Sequence, residues 1–187
     1  MWPIGHAAVA YLLYSAYCRR TGQTPLVLGV VALFIGSQFP DLIDKPLAWY
    51  IGVIPTGRSL AHTLFVVIPV SIVVYLISRR YDRDEIGIAF GIGAISHSLV
   101  DALPALWGAT DARFLLWPVL PIEDYGDAGP PTVFGLLMES VTDPYFHLEF
   151  MLLAAAILAW RADGYPGITL IQDSTDSRAT VKKKDSQ

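Results

Sequence analysis

The stretch QFPDLIDKP, residues 38–46, ends the apolar run LVLGVVALFIGS with two carboxylates three residues apart. Asp41 and Asp44 are therefore about one helical turn from each other. Arg58 and His62 in GRSLAHTL, and His97 and Asp101 in ISHSLVDALP, are each four apart, which on a helix places both members of a pair on one face. His6 opens the first apolar run; His147 and Glu149 lie near the start of the last. Imidazole and carboxylate together suit a borderline divalent ion, Zn²⁺ first and Mn²⁺ or Fe²⁺ next, whereas Ca²⁺ prefers oxygen alone. The candidate metal ligands are His6, Asp41, His62, His97, Asp101 and His147. Water held by such an ion has its pKa brought toward ~7, so the expected chemistry is hydrolysis by metal-activated water.

Asp44 and Glu149 are candidate general bases in that chemistry. Arg58, charged at every working pH, suits a phosphate or carboxylate on the substrate. Plainer roles compete: Asp41 and Asp44 are also suited to ending a helix at lipid headgroups, His147 to an interfacial position, and any of the acids to orienting a histidine ligand from behind. Asp143 before Pro144 has the pattern of a helix cap.

The elements that must position these groups are apolar. Of 187 residues 53% are hydrophobic and 16% charged, below the ordinary charged share of a soluble domain, and the net charge of −4 leaves no basic face for nucleic acid. A single cysteine, Cys18, excludes an intrachain disulfide and a multi-thiolate metal site. Five apolar stretches, residues 3–18, 25–39, 60–78, 85–106 and 144–160, are each close to the length that crosses a ~30 Å hydrocarbon core. The expected fold is all-α, an integral membrane bundle of about five transmembrane helices over residues 1–160, with a polar tail at 161–187.

Basic residues orient this bundle. Arg19 and Arg20, then Arg79, Arg80 and Arg83, then Arg161, Arg178 and Lys182, Lys183 and Lys184 follow the first, third and fifth stretches. The positive-inside rule places those segments in the cytoplasm, the N-terminus and the 107–143 connection outside, and all four histidines toward the outer side. Within that connection FLLWPVLPI and VFGLLM are too short to span and too apolar for water, and are expected to lie at the interface as a cover over the site.

GHAAVAYLLY, FPDLID, RSLAHTL and HSLVDALPALWGATDARFLLWPV resemble the YdjM-type membrane-bound metal-dependent hydrolases over about residues 4–120. The resemblance implies a small integral membrane protein with its site at His6, Asp41, Asp44, Arg58, His62, His97 and Asp101. Members often read HRG-x-THS around the second histidine, and the contact offered by the first position of that motif is missing here. The expected substrate is a phosphoester, small or lipid-linked, reached from membrane lipid at the outer face. The rival expectation is a non-catalytic membrane protein, a divalent-metal carrier or structural partner, using the same polar cluster.

Overall fold

The computed structural model describes residues 2–123, 132–141 and 144–167. Among them there is no strand. Six α-helices are present: α1 (Pro3–Arg20), α2 (Val27–Pro46), α3 (Leu64–Arg80), α4 (Asp84–Ala102), α5 (Val133–Val141) and α6 (Pro144–Ala162). The all-α expectation holds. Four of the five apolar stretches match α1, α3, α4 and α6 within a few residues, and α5 is a short addition that begins with VFGLLM and runs on to Val141.

The second stretch runs further than its apolar residues. α2 passes through Pro40 to Pro46 and continues in a π-helical turn, Leu47–Ile51, which stops where Gly52 adopts φ 69°. Asp41 and Asp44 are thus inside a helix. His62, in contrast, is not on α3 at all: α3 begins one residue after Thr63, whose hydroxyl accepts the Phe65 N–H as an N-cap. The expected shared helical face of Arg58 and His62 is replaced by the irregular segment 52–63.

α4 packs against α2, α3 and α1, and α1 packs against α2 and α6. α2 and α4 approach closely because glycines line their crossing. A Cβ on Gly36 would lie 2.3 Å from the Phe90 carbonyl oxygen, and one on Gly93 would lie 2.4 Å from that of Leu33. Tyr11, Tyr14, Leu33, Val67, Ala89 and Ala94 fill the core. Large apolar side chains also face outward: Val31 and Ile35 on α2, Ile72, Val73, Leu76 and Ile77 on α3, and Met151, Ile157 and Leu158 on α6 are all exposed. Buried polar groups inside an apolar exterior are the arrangement that lipid imposes. Two of the described helices, Val27–Ile51 and Asp84–Trp107, are long and apolar enough to cross a membrane.

Beyond α6 the chain stays tied to the bundle. Asp163 accepts hydrogen bonds from Tyr11 (3.0 Å), Ser15 (2.6 Å) and Arg19 (2.9 and 3.2 Å), all on α1. Residues 168–187, most of the expected tail, lie outside the described residues.

Candidate metal centre

The approach of α4 to α2 fixes the first ring. His97 Nδ1 lies 2.6 Å from the Ser37 carbonyl oxygen, which only accepts, so the proton is on Nδ1 and the Nε2 lone pair points away from α2. His62 is fixed in the same sense by Asp44. That fully buried carboxylate accepts from His62 Nδ1 at 2.8 Å, from the Ala61 N–H at 2.7 Å and from the His62 N–H at 3.2 Å. The segment before α3 is thereby folded around a side chain of α2.

Both Nε2 atoms now face the same point and stand 3.1 Å apart. Asp41 Oδ1 closes a triangle, 3.5 Å from His62 Nε2 and 3.7 Å from His97 Nε2. Ligands at Zn–N and Zn–O bond lengths in tetrahedral array stand about 3.3 Å from one another. The triangle therefore has the size of one face of such a site. Two neutral rings with their lone pairs opposed at 3.1 Å require a cation between them, either a proton or a metal ion.

A second group shares His97. His6 on α1 stacks on the His97 ring, with centroids 3.8 Å apart and planes at 18°. His6 Nε2 is 3.2 Å from Asp101 Oδ1. The contact is not aligned as a hydrogen bond, so both nitrogens of this buried ring lack a directed partner. His6, His97 and Asp101 form one set able to hold a metal ion, and Asp41, His62 and His97 form another. Asp101 Oδ2 meets Arg58 Nε at 2.9 Å and lies 3.7 Å from His62 Nε2, and Lys45 pairs with the second oxygen of Asp41. Burial opposes charge on His62 while Asp41 and Asp44 favour it; the carboxylates prevail and its pKa is raised.

Five of the six candidate ligands thus converge, from α1, α2, α4 and the segment before α3. His147 does not join them: its ring is exposed and meets Phe146 edge-on, 6.1 Å between centroids. Glu149 is buried but serves the start of α1, where both its oxygens accept the Trp2 N–H, at 3.0 and 3.1 Å. Gly5 makes that possible, since a Cβ there would lie 2.6 Å from Glu149 Oε2. Asp44 sits behind the His62 ring with its oxygens occupied by three N–H groups.

Four residues that the sequence does not single out individually contribute to the site. Lys45 carried a signal, the i,i+4 spacing from Asp41. The Ser37 carbonyl carried none, being a backbone atom exposed to α4 only by the glycine crossing. Thr63 and Phe114 form the cover: Thr63 donates to the Leu115 and Trp117 carbonyls at 3.0 and 2.8 Å, and Phe114 is buried edge-on to His62 at 6.1 Å. FLLWP therefore does close over His62, while VFGLLM, the other run of the expected cover, opens α5, which packs against α6.

An all-helical bundle, apolar outside and holding a buried His/Asp cluster that could bind a metal ion, defines a class of small membrane protein. The chain belongs to the YdjM inner membrane protein family, whose family model matches residues 1–168. No curated protein and no solved structure matches the chain.

Proposed function

We propose that the protein is a membrane-embedded, metal-dependent hydrolase acting on a phosphoester, lipid or lipid-linked, at the extracytoplasmic face. The observation that carries this reading is the triangle of Asp41 Oδ1, His62 Nε2 and His97 Nε2, with each ring anchored through Nδ1. Asp41, His62 and His97 would hold the ion, with Asp101 or His6 completing the set. Bound there, a divalent ion, best Zn²⁺ and otherwise Mn²⁺ or Fe²⁺, would supply Lewis acidity toward a phosphoryl oxygen and a nucleophile from water near neutral pH.

The chain's own groups do the remaining work. Asp44 and the Ser37 carbonyl set the tautomer and orientation of the two rings. Asp44 and Glu149 already accept backbone N–H groups, which suits them to positioning rather than to proton transfer. Asp101 and Glu149 border the same cavity, and of the two only Asp101 belongs to the His/Asp cluster, which makes it the better placed proton acceptor for water entering from that side. Arg58, held by Asp101 through Nε, keeps its terminal amino groups for a phosphoryl oxygen.

Five crossing helices, α1 to α4 and α6, accord with this reading. α1, α3 and α6 have 18, 17 and 19 residues. At 1.5 Å per residue they reach about 26 to 29 Å, close to the hydrocarbon thickness. Arg19, Arg20, Arg79 and Arg80 end α1 and α3 away from the cluster, which supports an outer site, an outer N-terminus and a cytoplasmic tail.

One observation favours a second reading. Lys45 and Arg58 already neutralise Asp41 and Asp101, so the cluster can also be a structural polar network in which His62 and His97 share a proton. Elemental analysis of detergent-purified protein separates the two, combined with hydrolysis of bis(4-nitrophenyl) phosphate before and after chelation. The hydrolase reading expects stoichiometric metal in the wild type, its loss in His97→Ala, and activity removed by chelator and restored by metal. Metal-free wild type of unchanged size and no chelator-sensitive hydrolysis would overturn it.

A further inference from the structure

Arg58 forms a wall between two cavities that differ in the side chains lining them. One, about 280 Å³, is lined mainly by aromatic and apolar side chains, Trp2, Trp107, Phe146 and Leu148 among them, with Ser140, Glu149 and Asp101 of the cluster also bordering it. The other, about 380 Å³, is lined by Thr56, Thr110, Asp111, Arg113 and Glu123, with Phe114, the residue covering His62, at its base. Arg58 and Thr110 belong to both.

The guanidinium at the junction is held in place. Its backbone N–H donates to Thr56 Oγ1 at 3.1 Å, Thr56 is bound in turn to Ser59, and Arg58 Nε is fixed 2.9 Å from Asp101 Oδ2. An anionic group seated on its remaining amino groups has an aromatic chamber on one side and a polar chamber on the other. The polar chamber is not a second anion site. Asp111 binds Arg113 through both its backbone N–H and Nε, Glu123 adds a further carboxylate, and Asp101 holds Arg58 through Nε, so the cationic donors left to a ligand are the terminal amino groups of Arg58. What remains for a ligand is hydrogen bonding from threonine hydroxyls, carboxylates and a neutralised arginine, which suits hydroxyls.

We infer that the substrate is a phosphodiester amphiphile: its phosphoryl group on Arg58, an apolar substituent in the aromatic chamber, and a hydroxyl-bearing substituent without net charge in the polar one. A phosphomonoester would leave one chamber without an occupant, and a diphosphate would bring its second charge against Asp111 and Glu123. This deepens the hydrolase reading and rests on it for the reaction alone. In that reaction water adds across one P–O ester bond, its oxygen bonding to phosphorus and its proton going to the departing alkoxide, to give one alcohol and one phosphomonoester.

The test uses the full chain in detergent micelles with three probes: short-chain phosphatidylglycerol, phosphatidic acid of the same chains, and farnesyl diphosphate. Turnover and equilibrium binding are both measured, binding by quenching of tryptophan fluorescence. The expected result is a preference of at least about 10-fold for phosphatidylglycerol over each other probe. Arg113→Ala should weaken phosphatidylglycerol about 10-fold and leave phosphatidic acid unchanged, while Trp107→Ala weakens both lipids. If no probe is turned over but the binding preference and its Arg113 dependence persist, the hydrolase reading falls and the two-chamber site stands. Equal binding of the two lipids, preference for the diphosphate, or an Arg113→Ala effect common to all three probes overturns the inference.

Discussion

Replacing Asp44 by Asn removes one charge and converts one acceptor into a donor at a site where three N–H groups converge. The wild-type carboxylate takes Ala61 N on Oδ1 at 2.7 Å, and His62 Nδ1 and the His62 N–H on Oδ2 at 2.8 and 3.2 Å. With the amide oxygen toward Ala61, the new NH₂ meets His62 Nδ1–H, and the ring escapes only by moving its proton to Nε2. That tautomer has no lone pair left at the metal triangle. With the amide turned over, the NH₂ meets the Ala61 N–H in a fully buried site, a loss of about 1 to 3 kcal/mol for the unsatisfied donor. Either route weakens metal binding, by roughly 10- to 100-fold as for other groups that orient a ligand. The assay is metal affinity by competition with a chromophoric chelator, beside the ¹⁵N shifts of the His62 ring. Asp41→Asn is the control, since it should lower affinity with His62 still protonated on Nδ1. Unchanged affinity in folded Asp44→Asn of wild-type size would refute the reasoning.

Gly93→Ala should force α2 and α4 apart, since the added Cβ would lie 2.4 Å from the Leu33 carbonyl oxygen and 2.7 Å from Ser37 N; overpacking of this kind costs about 1 to 3 kcal/mol. A lowered melting temperature with weakened metal binding is expected, because the same crossing sets the His97 bond to Ser37. Asp163→Ala, at the other end of the bundle, should lower thermal stability by about 2 kcal/mol through two buried hydroxyls and an arginine left without their acceptor, with metal content unchanged. In a Cys18→Ala background, Val53→Cys should react with an impermeant thiol reagent in intact cells and Gln23→Cys only after permeabilisation; the reverse pattern would invert the proposed orientation.

The helices and the convergence of His6, Asp41, His62, His97 and Asp101 were legible because apolar runs and charge asymmetry act over many residues. What was not legible turned on single contacts. Pro40 reads as a stop, yet α2 continues through it, so Asp41 and Asp44 were placed at a helix end instead of within its last turns. The segment GRSLAHT has spacings that fit a helix, and the Asp44 carboxylate, from another element, together with the Thr56 and Ser59 hydroxyls draws it into an irregular turn. His147 and Glu149 are about 200° apart around α6, so one must face inward and the other outward; the sequence does not say which, and the room left by Gly5 decides. Asp163 lies past the last apolar run, where composition predicts tail, and its role depends on three α1 side chains that hydropathy does not connect to it.

The clasp between Glu149 and the start of α1 joins the last of the described helices to the first. Chains are made from the N-terminus, so α1 precedes by 129 residues, counted from Arg20 to Glu149, the carboxylate that holds Trp2. His6 lies one turn from that clasp. A chain halted before α6 carries every converging ligand and still lacks the restraint that seats His6 against Asp101. Seating of His6 is thereby coupled to the synthesis and docking of α6.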